Sequence, residues 1–516
     1  MKLNSIKKYP IILICACFMS CSDFLNMDPT DTYTDDSFWK TSSQAVDAIN
    51  ACYRALNEAD LYGATSAPVF YYETLSPNAY HKDNDQEIAT YARGAHTSTT
   101  LGMNVVTWRG CYRGIGRCNN VIDKVPAIEM DETLKKRIIG EAKFLRALYY
   151  WTLNAMFGGV PLVLTSPNME EHGKLPRNTH AEVVAQIIKD LDEAVPVLET
   201  KYVAAQDGRA TKGAALTLKA RVLLQNHDYP GTAKACEDVF ALNRYELFPD
   251  YNGIFRQANI GNSEVIFDVR WLYPTYSHGY DIFHGQYQTQ TPVQGLIDAY
   301  QMIDGKSIHE SPLYNPENPF ENRDPRLDGT VVWIGKPWRA RIALATELFT
   351  TGYAFTKFTE YSVATTSAAL TGSINPYVVL RYADVLMMYA EALNEIEGAT
   401  EKVYKAVNDV RGRISVEMPP LPAGLSKEAM REAIRLERRI EFAGEGYYYH
   451  DIRRWGIAQD VMNDAYVYKS NLAPDAGIDG GSVGGQRKFR ADRDYLFPIP
   501  YTQIDLNPNL VQNPGY

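Results

Sequence analysis

The residues best equipped for chemistry in this chain are flat aromatics set among short polar side chains. The stretch RWLYPTYSHGYDIFHGQYQ carries Trp271, Tyr273, Tyr276, Tyr280 and Tyr287 alongside His278, Asp281, His284 and Gln286. A second stretch, NAYHKDNDQEIATYARGAH, carries Asn78, Tyr80, His81, Asn84, Tyr91 and Arg93, and a third, WIGKPWRAR, carries Trp333, Trp338 and Arg339. A pyranose presents axial C–H bonds on one face, which an aromatic plate covers while amides, carboxylates and guanidinium groups bond the hydroxyls. These clusters are the candidate ligand-binding residues, with Trp271 the leading platform. For the first stretch the competing reading is a packed loop whose tyrosines fill its own interior. Trp39, Trp108, Trp151 and Trp455 read as core.

Two acidic groups invite other chemistry. In DNDQE, the alternating Asp83, Asp85 and Glu87 offer oxygen ligands for Ca²⁺, although the glycine and spacing of an EF-hand loop are missing and a solvated acidic turn fits as well. In RLERRIEFAGEG, Glu437, Glu441 and Glu445 recur at four-residue steps on one helical stripe and should repel. A di-metal carboxylate site would need Glu-x-x-His pairs, and His450 stands five residues past Glu445. Neutralisation by Arg438, Arg439, Arg453 and Arg454 is the expected arrangement. No H-E-x-x-H or P-loop occurs, and GIGRCN lacks the third glycine of a dinucleotide fingerprint. A glycosidase carboxylate pair leaves no sequence spacing to search for, because the fold places the two acids.

Helices must carry these clusters. In TLKKRIIGEAKFLRALYYWTLNAMFGG, apolar side chains at Leu134, Ile138, Leu145, Tyr149, Leu153 and Met156 follow three- and four-residue steps, and Gly158 and Gly159 stop the run before Pro161. The same reading predicts helices over 43–57, 105–121, 180–198, 211–225, 230–242, 382–397, 401–413 and 426–443. They come as pairs joined by short turns, and the small residues Ala214, Ala215, Ala220, Ala233 and Ala235 let one such pair approach closely, like a tetratricopeptide hairpin. The expected helical scaffold is about 40–58, 105–243 and 380–456. Between its parts lie loop-rich, ligand-binding segments of about 60–100 and 247–358, the latter with short β-like runs such as SEVIFDVRW, and a Gly-rich loop at 463–490. Their aromatic content argues against disorder.

The chain has 516 residues and a formal net charge of −10, which disfavours nucleic acid and anionic membrane surfaces as partners. Tyr is over-used, at 35 residues, and its amphipathic ring suits half-wet binding surfaces. The N-terminus has Lys2, Lys7 and Lys8, then an apolar run from Tyr9 to Met19 too short to span a bilayer, then Ser20 and Cys21. Residues 1–20 read as a lipoprotein signal peptide and Cys21 as the lipid-bearing N-terminus. Cys17 is a rival anchor, but it would strand Phe18 and Met19 between lipid and domain. An acylated cysteine, with palmitate-type chains, holds a folded domain at a membrane. The remaining Cys52, Cys111, Cys118 and Cys236 are too few for a disulfide scaffold and are expected as buried thiols.

Six strings carry a resemblance: CSDFLNMDPTDTYTDDSFWKT, EAKFLRALYYWTLNAMFGGVPLVL, LRYADVLMMYAEALNE, AVNDVRGR, IRLERRIEFAGEGYYYHDIRRWG and the closing YLFPIPYTQIDLNPNLVQNPGY. In this order they resemble the SusD/RagB family of outer-membrane nutrient-binding lipoproteins, across the whole of 21–516. The resemblance implies a mainly α, SusD-like fold, one domain with four tetratricopeptide-like helix pairs as scaffold. It implies a non-catalytic protein, lipid-anchored and exposed at the cell surface, that captures oligosaccharide or polysaccharide and delivers it to a SusC-like TonB-dependent transporter. It also implies that residues upstream of the W-x-x-x-Y helix, here Trp108 and Tyr112, reach the same ligand as the middle segment. No cofactor is expected beyond the Ca²⁺ candidates. The alternatives are a peptide-binding lipoprotein of the RagB type and, more remotely, a surface glycoside hydrolase.

Overall fold

The structure, a computed structural model, describes residues 34–63, 67–81, 83–272, 275–286, 289–338, 341–359, 372–464 and 487–516. The signal peptide, Cys21, Tyr273, Tyr287, Arg339 and most of the Gly-rich loop lie outside the described residues.

Side-chain caps mark where several helices begin. Thr41 accepts from the Gln44 amide at 3.3 Å while the Gln44 side chain accepts from the Thr41 amide at 2.9 Å, starting α1 (Ser42–Arg54). Thr179 and Glu182 make the same reciprocal pair at α4 (His180–Ala194). Between them run α2 (Met103–Lys124) and α3 (Glu132–Phe157), the latter capped by Asp131 and stopped at Gly158, whose φ is +72°. Next come α5 (Lys212–Gln225) and α6 (Tyr229–Ala241), then α7 (Tyr382–Glu397), α8 (Glu401–Arg411), α9 (Lys427–Glu441) and α10 (Tyr447–Arg454).

The fold is mainly α. Each helix packs on its sequence neighbour from α1 through α8, α6 against α7 included, and α9 returns onto α7. Ala214, Ala215, Ala220, Ala233 and Ala235 are all buried where α5 meets α6. One apolar cluster runs from Ala45 on α1 to Leu510 near the C-terminus. At Gly114 on α2 an added Cβ would sit 2.5 Å from the Tyr149 ring of α3, so only glycine admits this approach. Cys52, Cys111, Cys118 and Cys236 are free and buried, as expected.

Strands occur as four antiparallel pairs among the described residues. β1 (Ala79–His81) pairs with β3 (Gln290–Pro292), Tyr80 opposite Thr291, and so stitches the early loop-rich segment to the middle one. β2 (Val265–Val269) pairs with β8 (Tyr377–Arg381), which is buried along its length and hands directly into α7. β4 (Val331–Trp333) pairs with β7 (Tyr353–Phe355), and β5 (Pro337–Trp338) with β6 (Arg341–Ile342).

The glutamate stripe is neutralised, but by other cations than those expected. Glu437 meets Arg326 and Arg411; Glu441 meets Arg326 at 3.0 Å, Arg381 at 2.7 Å and Arg413 at 2.9 Å; Glu445 meets Lys357 and Arg381, each at 2.7 Å. With Asp324 and Glu264 this network sets carboxylates against cations one for one, all buried. Arg438 and Arg454 turn instead to a second group, Asp384, Glu391 and Asp451, while Arg439 binds Asn78 and Arg453 donates to backbone carbonyls. Neighbours in sequence on a helix point about 100° apart, so the arginine next to a glutamate faces a different partner.

Candidate functional site

A cleft of about 550 Å³ opens where the end of α1, the 205–209 turn and the end of β2 converge. Its size suits two or three linked rings. From α1 and just beyond it come Asn50, Arg54 and Asn57, from the turn Asp207 and Arg209, and from β2 and the residue after it Asp268 and Arg270. Paired backbone hydrogen bonds of 2.9 and 2.8 Å between Leu272 and Tyr276 fold the chain back after β2 and deliver Tyr276 to the rim. The Arg54 guanidinium lies 3.9 Å from the centroid of the Tyr276 ring and donates to its hydroxyl. The Asn57 amide donates to the Arg270 carbonyl at 2.9 Å.

These polar groups are held before any ligand arrives. Arg270 donates to Asp268 at 2.9 Å and to Asp207 at 2.8 Å. Burial raises the Asp268 pKa, and Arg270 works against that shift. Arg209 spans the Asn50 side chain and Glu141, both at 2.8 Å. Behind the cleft Glu141, fully withdrawn on α3, also accepts from the Tyr53 hydroxyl at 2.9 Å. Burial lifts the Glu141 pKa, while Arg209, Tyr53 and Arg137 oppose the lift. A wall of amides, guanidinium groups and a half-open phenol ring, each oriented by a partner, is suited to binding hydroxyls.

Two stretches of the chain match known families. Residues 261–516 match the SusD family, and residues 23–224 match the family described as starch-binding associating with outer membrane. The chain belongs to the SusD family. It is 28% identical to SusD-like protein P2 of Formosa agariphila, over 99% of this chain and 100% of that one. Among solved structures it is similar to a SusD-like carbohydrate binding protein from Bacteroides fragilis, with TM-score 0.82, 28% identity, and coverage of 92% of this chain and 100% of that chain. It also shares the fold of surface glycan-binding protein A from Bacteroides fluxus, with TM-score 0.73, 22% identity, and coverage of 92% and 100%.

In this SusD-family chain the expected rings divide sharply by burial. Tyr276 lines the cleft. Trp271 is 8% exposed and T-shaped against His278, and Tyr280 is fully buried, its hydroxyl donating to the Tyr62 carbonyl. His278, equally buried, has its pKa pushed down by desolvation to about 3 and is neutral. Asp281 and His284 are buried too. Trp338 is buried in a small cluster with Leu348, and Trp333, half-buried, stacks on Phe320 at 4.2 Å with the Lys336 ammonium over its ring. Trp271, Tyr280 and Trp338 are thus packed inside the protein and offer a ligand no open face.

The early stretch divides likewise. Asn78 is fully buried, donating to Glu73 and accepting from Arg439, both at 2.8 Å; His81 and Tyr91 are also interior, Tyr91 against His96 and Phe497. Tyr80 and Arg93 are half-buried and Asn84 is exposed, where it ties the turn to Thr90. The Ca²⁺ candidates do not converge. Asp85 accepts from Tyr71 at 2.6 Å and Glu87 from Asn84 and Thr90, each at 2.8 Å, and among the described residues no group of three or more such ligands forms.

Sequence reasoning missed Asn50, Arg54, Asn57, Asp207, Arg209 and Arg270. The spacing of Asn50, Arg54 and Asn57 at i, i+4 and i+7 was the available signal, since it places three polar groups on one helical face.

Proposed function

We propose that this protein captures an oligosaccharide in the Tyr276 cleft and releases it to a SusC-like TonB-dependent transporter. It does so at the outer surface of the outer membrane, anchored through a lipid on Cys21, without catalysing a reaction. The carrying observation is the cleft itself, where an aromatic ring with a guanidinium over it stands among oriented amides. The family descriptions and the carbohydrate-binding relative from Bacteroides fragilis support the same reading. Both Asp207 and Asp268 are engaged by Arg270, an arrangement suited to holding a ligand rather than to passing a proton. No helix among the described residues is long and apolar enough to cross a membrane.

The test is affinity electrophoresis of the Ser22–Tyr516 protein through gels containing plant, host and microbial polysaccharides. One class of glycan should retard it, with no reducing sugar released on prolonged incubation. Retardation that survives Tyr276→Ala unchanged would place the site elsewhere. A blank panel followed by binding to peptide digests would replace the glycan with a peptide.

A further inference from the structure

A second cavity, about 80 Å³, lies under the 67–72 turn between α3, α5 and α10. Its walls are mostly apolar: Leu61, Tyr62, Tyr72, Leu148, Val378 and Met388. Half-exposed Val69, Thr152 and Gln225 stand at its mouth. The Tyr276 cleft shares only Leu56 with it.

Three lining side chains carry polar atoms that are buried and lack a hydrogen-bond partner: Trp151 Nε1, Thr107 Oγ1 and His450 Nδ1. Thr107 is 1% exposed and Trp151 9%. Native proteins rarely leave such atoms unsatisfied without a ligand or ordered water. Burial, reinforced by Arg221, Arg453 and Arg454, lowers the His450 pKa to about 3, so its ring is neutral. Arg221, Arg438 and Arg454 in the wall are already matched by Asp384, Asp451 and Glu391. An ionised ligand finds no unbalanced charge here.

We infer that this cavity is a ligand site for a small neutral molecule with one apolar ring and one hydroxyl, a phenol or aromatic alcohol. The indole N–H of Trp151 only donates, so the ligand must present an acceptor, and a hydroxyl also serves Thr107 or His450. A pyranose carries more hydroxyls than the wall has unpartnered atoms and would strand several of them. The volume of about 80 Å³ exceeds the 10–15 Å³ or so of one water but is about half the roughly 150 Å³ of an apolar cavity that admits benzene, so a single ring is the limit and part of it must stay in the mouth beside Val69, Thr152 and Gln225.

Benzyl alcohol, phenol and toluene are the probes, titrated into the Ser22–Tyr516 protein and followed by ligand-observed NMR and calorimetry. Benzyl alcohol and phenol should bind once per chain and more tightly than toluene. Trp151→Phe, which keeps an aromatic ring but removes the donor and widens the cavity, should weaken the two alcohols about tenfold relative to toluene. Thr107→Val provides an independent, near-isosteric check with the same expected pattern should Trp151→Phe fold poorly. Tyr276→Ala should leave all three affinities as they were, which separates this site from the cleft. No saturable binding of either alcohol, toluene binding as tightly as benzyl alcohol, or alcohol affinities unchanged relative to toluene in both Trp151→Phe and Thr107→Val would each overturn the inference.

Discussion

Arg381 Nη1 and Glu441 Oε1 lie 2.7 Å apart with neither side chain reached by solvent. The pair joins the end of β8 to the end of α9, and Arg381 extends the contact to Glu264 at 2.8 Å and Glu445 at 2.7 Å. Two charges withdrawn from water need each other, and removing one leaves the other uncompensated. Glu441 contacts Arg326, Arg381 and Arg413. Glu441→Gln should therefore destabilise the protein by about 3–5 kcal/mol in urea unfolding. A loss under about 1 kcal/mol would mean that the remaining carboxylates absorb the excess charge.

Acid should attack the same network. Burial alone would raise the Glu441 pKa, but Arg413, Arg381 and Arg326 outweigh it and hold the carboxyl well below the usual range. Asp384 and Glu391 are lowered in the same way by Arg221 with Arg438 and by Arg454. Groups depressed in the fold contribute stability above their unfolded pKa values, about 4, and lose it as pH falls further. Unfolding midpoints should drop steadily below about pH 4, and a Glu441→Gln variant should drop less steeply. Parallel curves would show that Glu441 is not among the groups that titrate.

Lys357 adds a second rise of stability with pH, at the alkaline end and from a different cause. Burial pushes its pKa down to about 8 despite Glu445 nearby. The unfolded chain holds this proton up to about pH 10.4, so between pH 8 and 10 the unfolded state binds more protons and stability rises with pH. Measured against Lys357→Met, wild type should gain on the order of 1–3 kcal/mol across that window. A flat difference would place the Lys357 pKa in the ordinary lysine range.

Tyr276→Ala and Arg54→Ala should each cost about 1–3 kcal/mol of glycan affinity, the amount a stacked aromatic or a charged hydrogen bond contributes. Isothermal titration with whichever glycan retards the protein measures it. Trp271→Ala should instead register as a loss of stability of about 3–5 kcal/mol, because Trp271 belongs to the core. A Trp271 variant that melts like wild type yet fails to bind would reverse the two assignments.

The four thiols should be silent in the native state. Cys52, Cys111, Cys118 and Cys236 are buried, and desolvation lifts the pKa of Cys111, Cys118 and Cys236, so little thiolate forms. A disulfide reagent should label them only as the protein unfolds. Prompt labelling of any one of them at neutral pH would reveal local opening around it.

The scaffold was legible because a helix writes its buried face into the sequence at three- and four-residue steps, and because Thr41, Thr179 and Asp131 announce where helices begin. The expected helix 382–397 coincides with α7, and 401–413 overruns α8 by two residues where Gly412 ends it. The site was far less legible. A tyrosine in a loop that faces solvent and one that fills the loop's interior occupy identical sequence contexts, and among the described residues of its cluster Tyr276 alone lines the cleft.

By itself, then, the sequence determined the mainly α scaffold and its family, since periodicity, caps and ordered motifs are local properties of the chain. Tertiary structure alone decided which rings meet solvent and which cation meets which carboxylate. Arg326, Arg381 and Arg413 reach Glu441 from 115, 60 and 28 residues away, and Tyr276 meets Arg54 across 222. Contacts between segments so far apart follow from how helices and strands stack, and no spacing along the chain encodes them.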